Sequence, residues 1–166
     1  MYNRRYLSEQ LPKLFHASQR QGRPLSLVIS DIDHLKKIND IDGHSTGDAV
    51  LQHFAALMQR SLLTGLDWIA RFSGEEFIVV LPETAIDQAA VAADRLQLLT
   101  ARSTVESPKG PVRFTASFGV AGVPASLADK VSLEALVAAA DAALYRAKEN
   151  GRNRTEVHQG DFPVKM

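Results

Sequence analysis

Three carboxylates at the ends of predicted strands could hold a metal ion. Asp31 follows residues 25–30, a short apolar run with the composition of a buried strand. Glu75 and Glu76 stand at the tip of a predicted hairpin. If that hairpin pairs beside the first strand, Asp31 and one glutamate converge, and such carboxylates, with positions left open for phosphate oxygens, suit Mg²⁺. Taken singly, each is explained equally well as a solvated acidic residue.

Two polar segments could recognise a nucleotide. Residues 33–39 predict a short helix directly after the strand, whose free N–H groups would form an anion site. Asn39 and Asp48 suit a purine edge, because a carboxylate accepts from the N1–H and N2 amino donors of guanine and a carboxamide both accepts and donates. The neighbouring Gly43 and Gly47 equally favour plain turn and capping roles for both residues.

Two basic residues, Lys148 and Arg152, lie four positions apart at the end of a predicted helix. This spacing places them on one side, where they could hold terminal phosphates. Basic residues also favour this position because they interact with the helix dipole, and both roles can hold together.

Hydrophobic periodicity predicts the elements that position these residues. Asn3 caps a first helix that starts at Arg4, and Pro12 is expected to kink or restart it. The remaining elements are a strand at 25–30, helices near 33–39 and 46–63, hairpin strands at 68–72 and 76–81 joined by a two-residue turn at Ser73-Gly74, a helix at 86–99, a strand at 112–123, a helix from the Ser132 cap to about Asn150, and an edge strand at 154–157.

This β-α-β-β-α-β order predicts an α+β protein with the ferredoxin-like, split βαβ fold. We expect an antiparallel central sheet flanked by helices on one face, with a helix added at the N-terminus and a strand added at the C-terminus. Fold alone does not define function.

Composition narrows the class of protein. The 166 residues are 45% apolar, which is typical of one globular domain. Lys+Arg and Asp+Glu number 19 each, and this zero net charge argues against a grip on long nucleic acid. Cysteine is absent, which excludes disulfides and thiol nucleophiles. The apolar runs are far shorter than the ~20 residues of a membrane helix, so we expect a cytoplasmic domain without membrane contact of its own.

Four ordered motifs resemble those of one family. Residues 31–40, with Gly43-His44 and Gly47-Asp48, resemble the first signature of GGDEF domains, the diguanylate cyclases. Residues 71–77 resemble the name-giving motif in its Glu form, and residues 117–121 and 140–153 resemble the fourth-strand and closing-helix motifs. The likeness covers residues 3–157 and leaves 158–166 as a tail. The chain, 1–166, is therefore identified as a single GGDEF domain with a nucleotidyl-cyclase or palm-like architecture.

The resemblance implies an activity. Two GTP molecules, one on each protomer of a dimer, would condense to cyclic di-GMP and two pyrophosphates with Mg²⁺, or Mn²⁺ in its place, at two ions per half-site. By position it makes Asp31 and Glu75 metal-binding catalytic carboxylates, with the Ile32 carbonyl as a further ligand and Glu76 as a second acidic residue. Whether a carboxylate or solvent takes the 3′ proton stays open.

The resemblance also assigns the substrate contacts. Asn39 and Asp48 match the guanine readers, and Lys148 and Arg152 match the phosphate contacts. The remaining contacts that it implies are Gly74 and the backbone amides near Leu35 and Lys36.

The motif departs from the family pattern at Ser73, which stands where a first glycine is usual. In a type I′ hairpin both turn residues need φ > 0, and a serine there costs about 1–2 kcal/mol relative to glycine. We therefore expect Ser73 to lower turnover without abolishing it.

A second departure concerns the inhibitory product site of the family, an Arg-x-x-Asp sequence before the motif. Here Thr64 replaces the arginine, Asp67 remains, and Arg95 matches a secondary contact. Because arginine supplies bidentate contacts that threonine cannot, we expect this site to be degenerate and product inhibition through it to be weak.

Residues 2–5 resemble the tail of the motif that opens the family's domain. We therefore expect an N-terminal sensory region in the full-length protein and a mostly monomeric isolated domain. The alternative function is a catalytically impaired GGDEF domain that binds GTP as a regulatory module. Another nucleotidyl cyclase or a palm-type polymerase is disfavoured by the zero net charge and by the pair Asn39 and Asp48.

Overall fold

A computed structural model describes residues 1–62 and 66–163. The helices are α1 (Arg4–Gln21), α2 (Leu35–Asp42), α3 (His44–Ser61), α4 (Ile86–Ala101) and α5 (Leu133–Glu149). The strands are β1 (Leu25–Ile32), β2 (Trp68–Ser73), β3 (Glu76–Pro82), β4 (Thr104–Ser107), β5 (Gly110–Arg113), β6 (Ala116–Val123) and β7 (Thr155–Val157). Within the described ranges, no helix is both long enough and apolar enough to cross a membrane.

The central sheet has five strands in the order β2-β3-β1-β6-β7. β1 lies in the middle and pairs antiparallel with both β3 and β6, which confirms the predicted split βαβ fold. β7 adds to the edge in parallel with β6, because helix α5 returns the chain to the end of the sheet where β6 began.

Helices cover both faces of this sheet, so the expectation of helices on one face is wrong. Every residue of β1 and β6 is buried, and side chains alternate between the faces of a strand. Val28 and Ile32 pack in one hydrophobic cluster with α2, α3 and α4. Leu25, Leu27 and Ile29 pack in a second cluster with α1 and α5. A central strand without a polar face needs cover on both sides.

Helix α1 begins as predicted, but Pro12 does not interrupt it. The Asn3 side chain accepts a hydrogen bond from the backbone N–H of Tyr6, at 2.9 Å. The helix then runs continuously past Pro12 to Gln21. Proline removes one backbone hydrogen bond, and the burial of Leu7, Leu11 and Phe15 against the sheet holds the helix across that gap.

The predicted strand at 112–123 is in fact two strands. β5 ends at Arg113 and β6 begins at Ala116, and β5 pairs with β4 in a separate two-stranded hairpin. The hairpin turns at Pro108 and Lys109, and Gly110, whose φ is +111°, begins β5 directly after the turn. The sequence of β4 and its turn is short and rich in Ser, Pro and Gly, so its pattern does not distinguish a small hairpin from a loop.

The turn of the β2–β3 hairpin lies one residue later than predicted. Ser73 is the last residue of β2 and pairs with Glu76, so Gly74 and Glu75 form the turn. The register shifts between Arg71 and Ser73, and neither Ser73 nor Gly74 has a positive φ. The type I′ turn and the strain assigned to Ser73 are therefore wrong, because the irregularity in β2 changes the geometry with which the chain enters the turn.

Replacing Ser73 by glycine tests this correction. Since Ser73 is an exposed residue in extended backbone, Ser73→Gly should lower the free energy of unfolding by about 0.5–1 kcal/mol, the usual cost of glycine in a strand. Urea unfolding checks it, with Glu106→Gly at an exposed position of β4 as the matched control. Relief of turn strain would instead stabilise the variant.

Candidate functional site

The site is built around the buried carboxylate of Asp31. Its side chain is 8% exposed, and its Oδ2 forms an ion pair with Lys148 Nζ from the last turn of α5. Its Oδ1 is buried and has no hydrogen-bond partner. A half-satisfied buried carboxylate is costly, so this oxygen is available to a ligand.

The close approach of α5 to β6 is what brings Lys148 to Asp31. A Cβ on Gly119 would lie 2.2 Å from the backbone nitrogen of Leu144 and 2.3 Å from the Ala140 carbonyl. Only glycine permits this contact. The helix therefore lies against the strand next to β1, and its last turn reaches the Asp31 end of β1.

Two more carboxylates meet Asp31 at this end of the sheet. Asp31 pairs with Glu76 across β1 and β3, and the backbone N–H of Ile32 donates to the Glu75 carbonyl at 3.4 Å. Burial raises the pKa of Glu75, and the nearby charge of Asp31 raises it further. Burial likewise raises the pKa of Glu76, followed by the charges of Asp141 and Asp31. The carboxylates repel one another, and Lys148 offsets only part of that repulsion.

These groups fit a divalent cation. The unpartnered Oδ1 of Asp31 and the carboxylate of Glu75 are the hard oxygen donors that Mg²⁺ prefers, together with a backbone carbonyl such as that of Ile32. No group of three or more His, Asp or Glu side chains in the described part of the chain is arranged to hold a metal. The protein thus offers an incomplete ligand set, which phosphate oxygens would complete.

Helix α2 begins directly after this cluster with free backbone donors. His34 precedes it in the left-handed conformation, with a φ of +56°, and makes no capping hydrogen bond. The amides of Leu35 and Lys36 therefore lie in an uncapped first turn, which attracts anions. The helix was predicted at 33–39; its start at Leu35 follows from the sharp turn at His34.

The predicted base contacts, Asn39 and Asp48, are brought together across the α2–α3 junction. A Cβ on Gly47 would lie only 1.7 Å from Asn39 Oδ1, so the Asn39 side chain rests directly on the backbone beside Asp48. Asp48 is exposed and lines a cavity of about 290 Å³ with Leu51 and Arg71. The glycine thus has a packing role, in addition to the turn role that its type suggests.

Arg152 lies apart from Lys148 on the loop that follows α5. Its φ is +63°, its side chain is exposed, and its N–H donates to the Ala147 carbonyl at 2.9 Å. The two basic residues therefore do not share a helix face as the sequence suggested, because the helix ends between them at Glu149.

The residues of the degenerate product site lie elsewhere. Thr64 is outside the described residues, and Asp67 directly precedes β2. The Arg95 guanidinium donates to the Ser61 carbonyl at 2.7 Å, at the end of α3. Arg95 thus already satisfies a helix terminus.

Sequence reasoning missed two features of the site. One is the ion pair of Asp31 with Lys148. These residues are 117 positions apart, and no local pattern in the sequence predicts a contact over that separation. The other is Asp33, which is 4% exposed and accepts hydrogen bonds from Thr115, Ser117 and Asn153. The sequence offered one signal, a second Asp two residues after Asp31 at the end of a buried strand, but Asp33 was predicted only as the first residue of a helix.

Fold and site together define a ferredoxin-like domain with carboxylates, a lysine and an uncapped helix start at one end of its central strand. A family model described as "Diguanylate cyclase, GGDEF domain" matches residues 1–154. The chain belongs to this family of enzymes.

Curated relatives of this family are similar to the chain over most of its length. The response regulator PleD of Caulobacter vibrioides is 39% identical over 153 residues, which are 92% of this chain and 33% of PleD. Diguanylate cyclase DgcP of Pseudomonas aeruginosa is 40% identical over 155 residues, 93% of this chain and 22% of DgcP. The chain thus spans a third or less of the length of these two curated relatives.

Two solved structures share the fold. One is the active GGEEF domain of a diguanylate cyclase from Vibrio cholerae, with a TM-score of 0.86, 31% identity, and coverage of 96% of this chain and 99% of that one. The other is the GGDEF domain of DgcB from Caulobacter crescentus in complex with c-di-GMP, with a TM-score of 0.86, 28% identity, and coverage of 95% and 91%. They confirm the α+β fold class.

The raised pKa of Glu75 predicts a pH-dependent gain of stability when its charge is removed. Its neutral form is favoured in the folded state, so the folded protein loses stability as pH rises through that raised pKa. At pH 7 without metal, Glu75→Gln should therefore raise the free energy of unfolding by about 0.5 kcal/mol, a small effect because the group is partly solvated. The gain should vanish below pH 4.

Urea unfolding at pH 7 and below pH 4, with chelator present, measures this difference. Glu106→Gln, an exposed carboxylate on β4, is the control and should change little at either pH. An equal gain at both pH values, or a loss at pH 7, would contradict the repulsion described for Glu75.

Proposed function

We propose that this domain condenses two GTP molecules into cyclic di-GMP and two pyrophosphates, with each of two protomers contributing one half-site. The observation that carries the proposal is the meeting of Asp31, Glu75 and Lys148 beside the uncapped start of α2. This combination suits a metal-bound triphosphate, and it occurs in a chain that belongs to the diguanylate cyclase family.

The reaction needs two like steps. In each, the 3′-hydroxyl oxygen of one GTP forms a bond to the α-phosphorus of the other, and the bond from that phosphorus to the bridging oxygen of pyrophosphate breaks. The hydroxyl proton leaves to a base or to solvent. Mg²⁺, or Mn²⁺ in its place, at two ions per half-site, would neutralise the triphosphate and help ionise the hydroxyl; Asp31, Glu75 and the Ile32 carbonyl would hold it.

The chain's own residues would bind and orient the nucleotide. Asn39 and Asp48 would read the guanine edge, since together they offer both acceptors and a donor. The amides of Leu35 and Lys36 would receive phosphate oxygens at the start of α2. Gly74 would leave the hairpin tip open to the α-phosphate, since open space surrounds the position of its absent Cβ to at least 4 Å. Glu76, the first residue of β3, follows the turn as the second acidic residue.

Lys148 would change partner when substrate binds. Without ligand it neutralises Asp31. Asp31 would give up this ion pair when it holds a divalent cation, and the Lys148 ammonium group would then be available to the phosphates alongside Arg152. The ion pair thus keeps the empty site stable and supplies a phosphate contact when the site is filled.

Catalysis would require two copies, because each half-site carries one nucleotide. The sensory region expected in the full-length protein would control this pairing, so the isolated domain would be mostly monomeric. Product inhibition would be weak, since the arginine of the inhibitory site is replaced by Thr64 and Arg95 is engaged with the Ser61 carbonyl.

Incubation with GTP and Mg²⁺ tests the activity. We expect cyclic di-GMP by mass spectrometry, with a rate that rises faster than linearly with protein concentration. Glu75→Ala should reduce that rate at least 100-fold. Ser73→Gly should raise it modestly, because it removes a side chain beside the hairpin turn that we propose faces the α-phosphate. Glu106→Ala, remote on β4, is the control. GTP binding without any product would instead support the regulatory-module alternative.

Gly47→Ala tests the proposed contact between the Asn39 side chain and the guanine base. The added methyl group should displace the Asn39 side chain and weaken binding of a non-hydrolysable GTP analogue about tenfold, as loss of one buried hydrogen bond does. Stability should not fall, because alanine favours the helix.

A double-mutant cycle by calorimetry makes this measurement specific. Asn39→Ala should cost little more in the Gly47→Ala background, since both act through one side chain. Ser45→Ala, an exposed residue in the first turn of α3, is the matched control. Independent, multiplying losses would contradict the contact between Gly47 and Asn39.

A further inference from the structure

The second aspartate of the first signature, Asp33, does not face the carboxylate cluster. Its Oδ1 accepts from Ser117 Oγ at 2.7 Å. Its Oδ2 accepts from Thr115 Oγ1 at 2.7 Å and from the backbone N–H of Asn153 at 3.0 Å. With 4% exposure and three donors, its oxygens are already committed to the protein.

The bond to Asn153 reaches the loop that carries Arg152. Arg152 and Asn153 both adopt the left-handed conformation, with φ of +63° and +47°. Consecutive non-glycine residues in this region are strained and persist only where the surroundings hold them. Asparagine tolerates this conformation but arginine does not favour it, so contacts with the rest of the fold, in addition to the end of α5, hold the loop.

Hydrogen bonds to α5, β6, α4 and Asp33 connect the loop to the rest of the fold. The Arg152 N–H donates to the Ala147 carbonyl at 2.9 Å, and the Phe118 N–H donates to the Arg154 carbonyl at 2.9 Å. Gln97 Nε2 donates to Asn153 Oδ1 at 2.6 Å from the exposed side. Asp33 supplies the remaining contact, which is part-buried and charge-assisted and hence the strongest kind.

We infer that Asp33 is a positioning residue: by accepting from the Asn153 N–H, it holds the strained loop in the conformation that aims Arg152 at the terminal phosphates of the nucleotide. The inference rests on the proposed function for the role of Arg152. The two aspartates of the signature thus have different roles. Asp31 serves the cation, and Asp33 holds the phosphate-binding loop.

Asp33→Asn tests the inference, because the amide keeps the size but replaces an accepting oxygen with a donor. Binding of a non-hydrolysable GTP analogue should weaken about tenfold, while binding of GMP, which lacks the β and γ phosphates, should stay within twofold of the wild-type protein. A residue that merely stabilises the fold would not separate the two ligands. In the Asp33→Asn background, Arg152→Ala should add no more than a twofold loss.

Ser117→Ala is the matched control, since it removes a hydrogen bond from the other oxygen of Asp33 without touching the loop. It should leave the affinity for the GTP analogue unchanged. If Asp33→Asn does not fold, Thr115→Val takes its place: it removes the side-chain donor that fixes the same oxygen of Asp33, and it should weaken binding of the GTP analogue and leave binding of GMP unchanged.

Three outcomes overturn the inference: unchanged affinity for the GTP analogue, equal weakening for GMP, or losses that multiply with Arg152→Ala. In each of these the wild-type protein binds the analogue, and the proposed function is left to its own test, the formation of cyclic di-GMP. Absence of binding to the wild-type protein would overturn both.

Discussion

A charged carboxylate buried at the end of the central strand is the constraint on which the rest of the site depends. Asp31 is tolerated there because Lys148 reaches it, since a buried charge without a partner is strongly destabilising. Lys148 reaches it only because α5 lies against β6 at Gly119. The three features therefore depend on one another. Gly119 lets α5 lie against β6, this position of α5 brings Lys148 to the end of β1, and Lys148 makes a buried charge at Asp31 tolerable.

The neutrality of the whole chain hides a strong local separation of charge. Asp31, Glu75 and Glu76 lie close together at one end of the sheet, where burial first and the neighbouring carboxylates second raise the pKa of both glutamates. Shifted pKa values of this kind are typical of functional sites. A cation with its triphosphate would relieve the repulsion, so binding and folding favour the same arrangement of these carboxylates.

Much of the fold could be predicted from periodicity and caps, because those signals are local. Most predicted elements lie within a few residues of the observed ones. The helices that begin after Asn3 and Ser132 were predicted from those caps, and the buried strands were predicted from short apolar runs. The errors arose where tertiary contacts override local preference. The register shift in β2 moved the turn by one residue, from Ser73-Gly74 to Gly74-Glu75. Packing keeps α1 continuous through Pro12. The cover on both faces of β1 follows from burial that no single segment reveals.

The sequence predicted which residues belong to the site better than it predicted what each of them contacts. The motifs included Asp31, Glu75 and Lys148, but a motif identifies positions and does not show their contacts. It does not distinguish the two aspartates, which are one residue apart and identical in chemistry. Strand alternation does not distinguish them either, since positions 31 and 33 would share a face if β1 continued. The strand ends at Ile32, and the turn at His34 follows at once. Asp33 is therefore directed to Thr115, Ser117 and the loop after α5, while Asp31 stays with the carboxylates. The point where the strand ends therefore decides which of two chemically identical residues keeps an unpartnered oxygen among the carboxylates and which has its oxygens bonded to the protein.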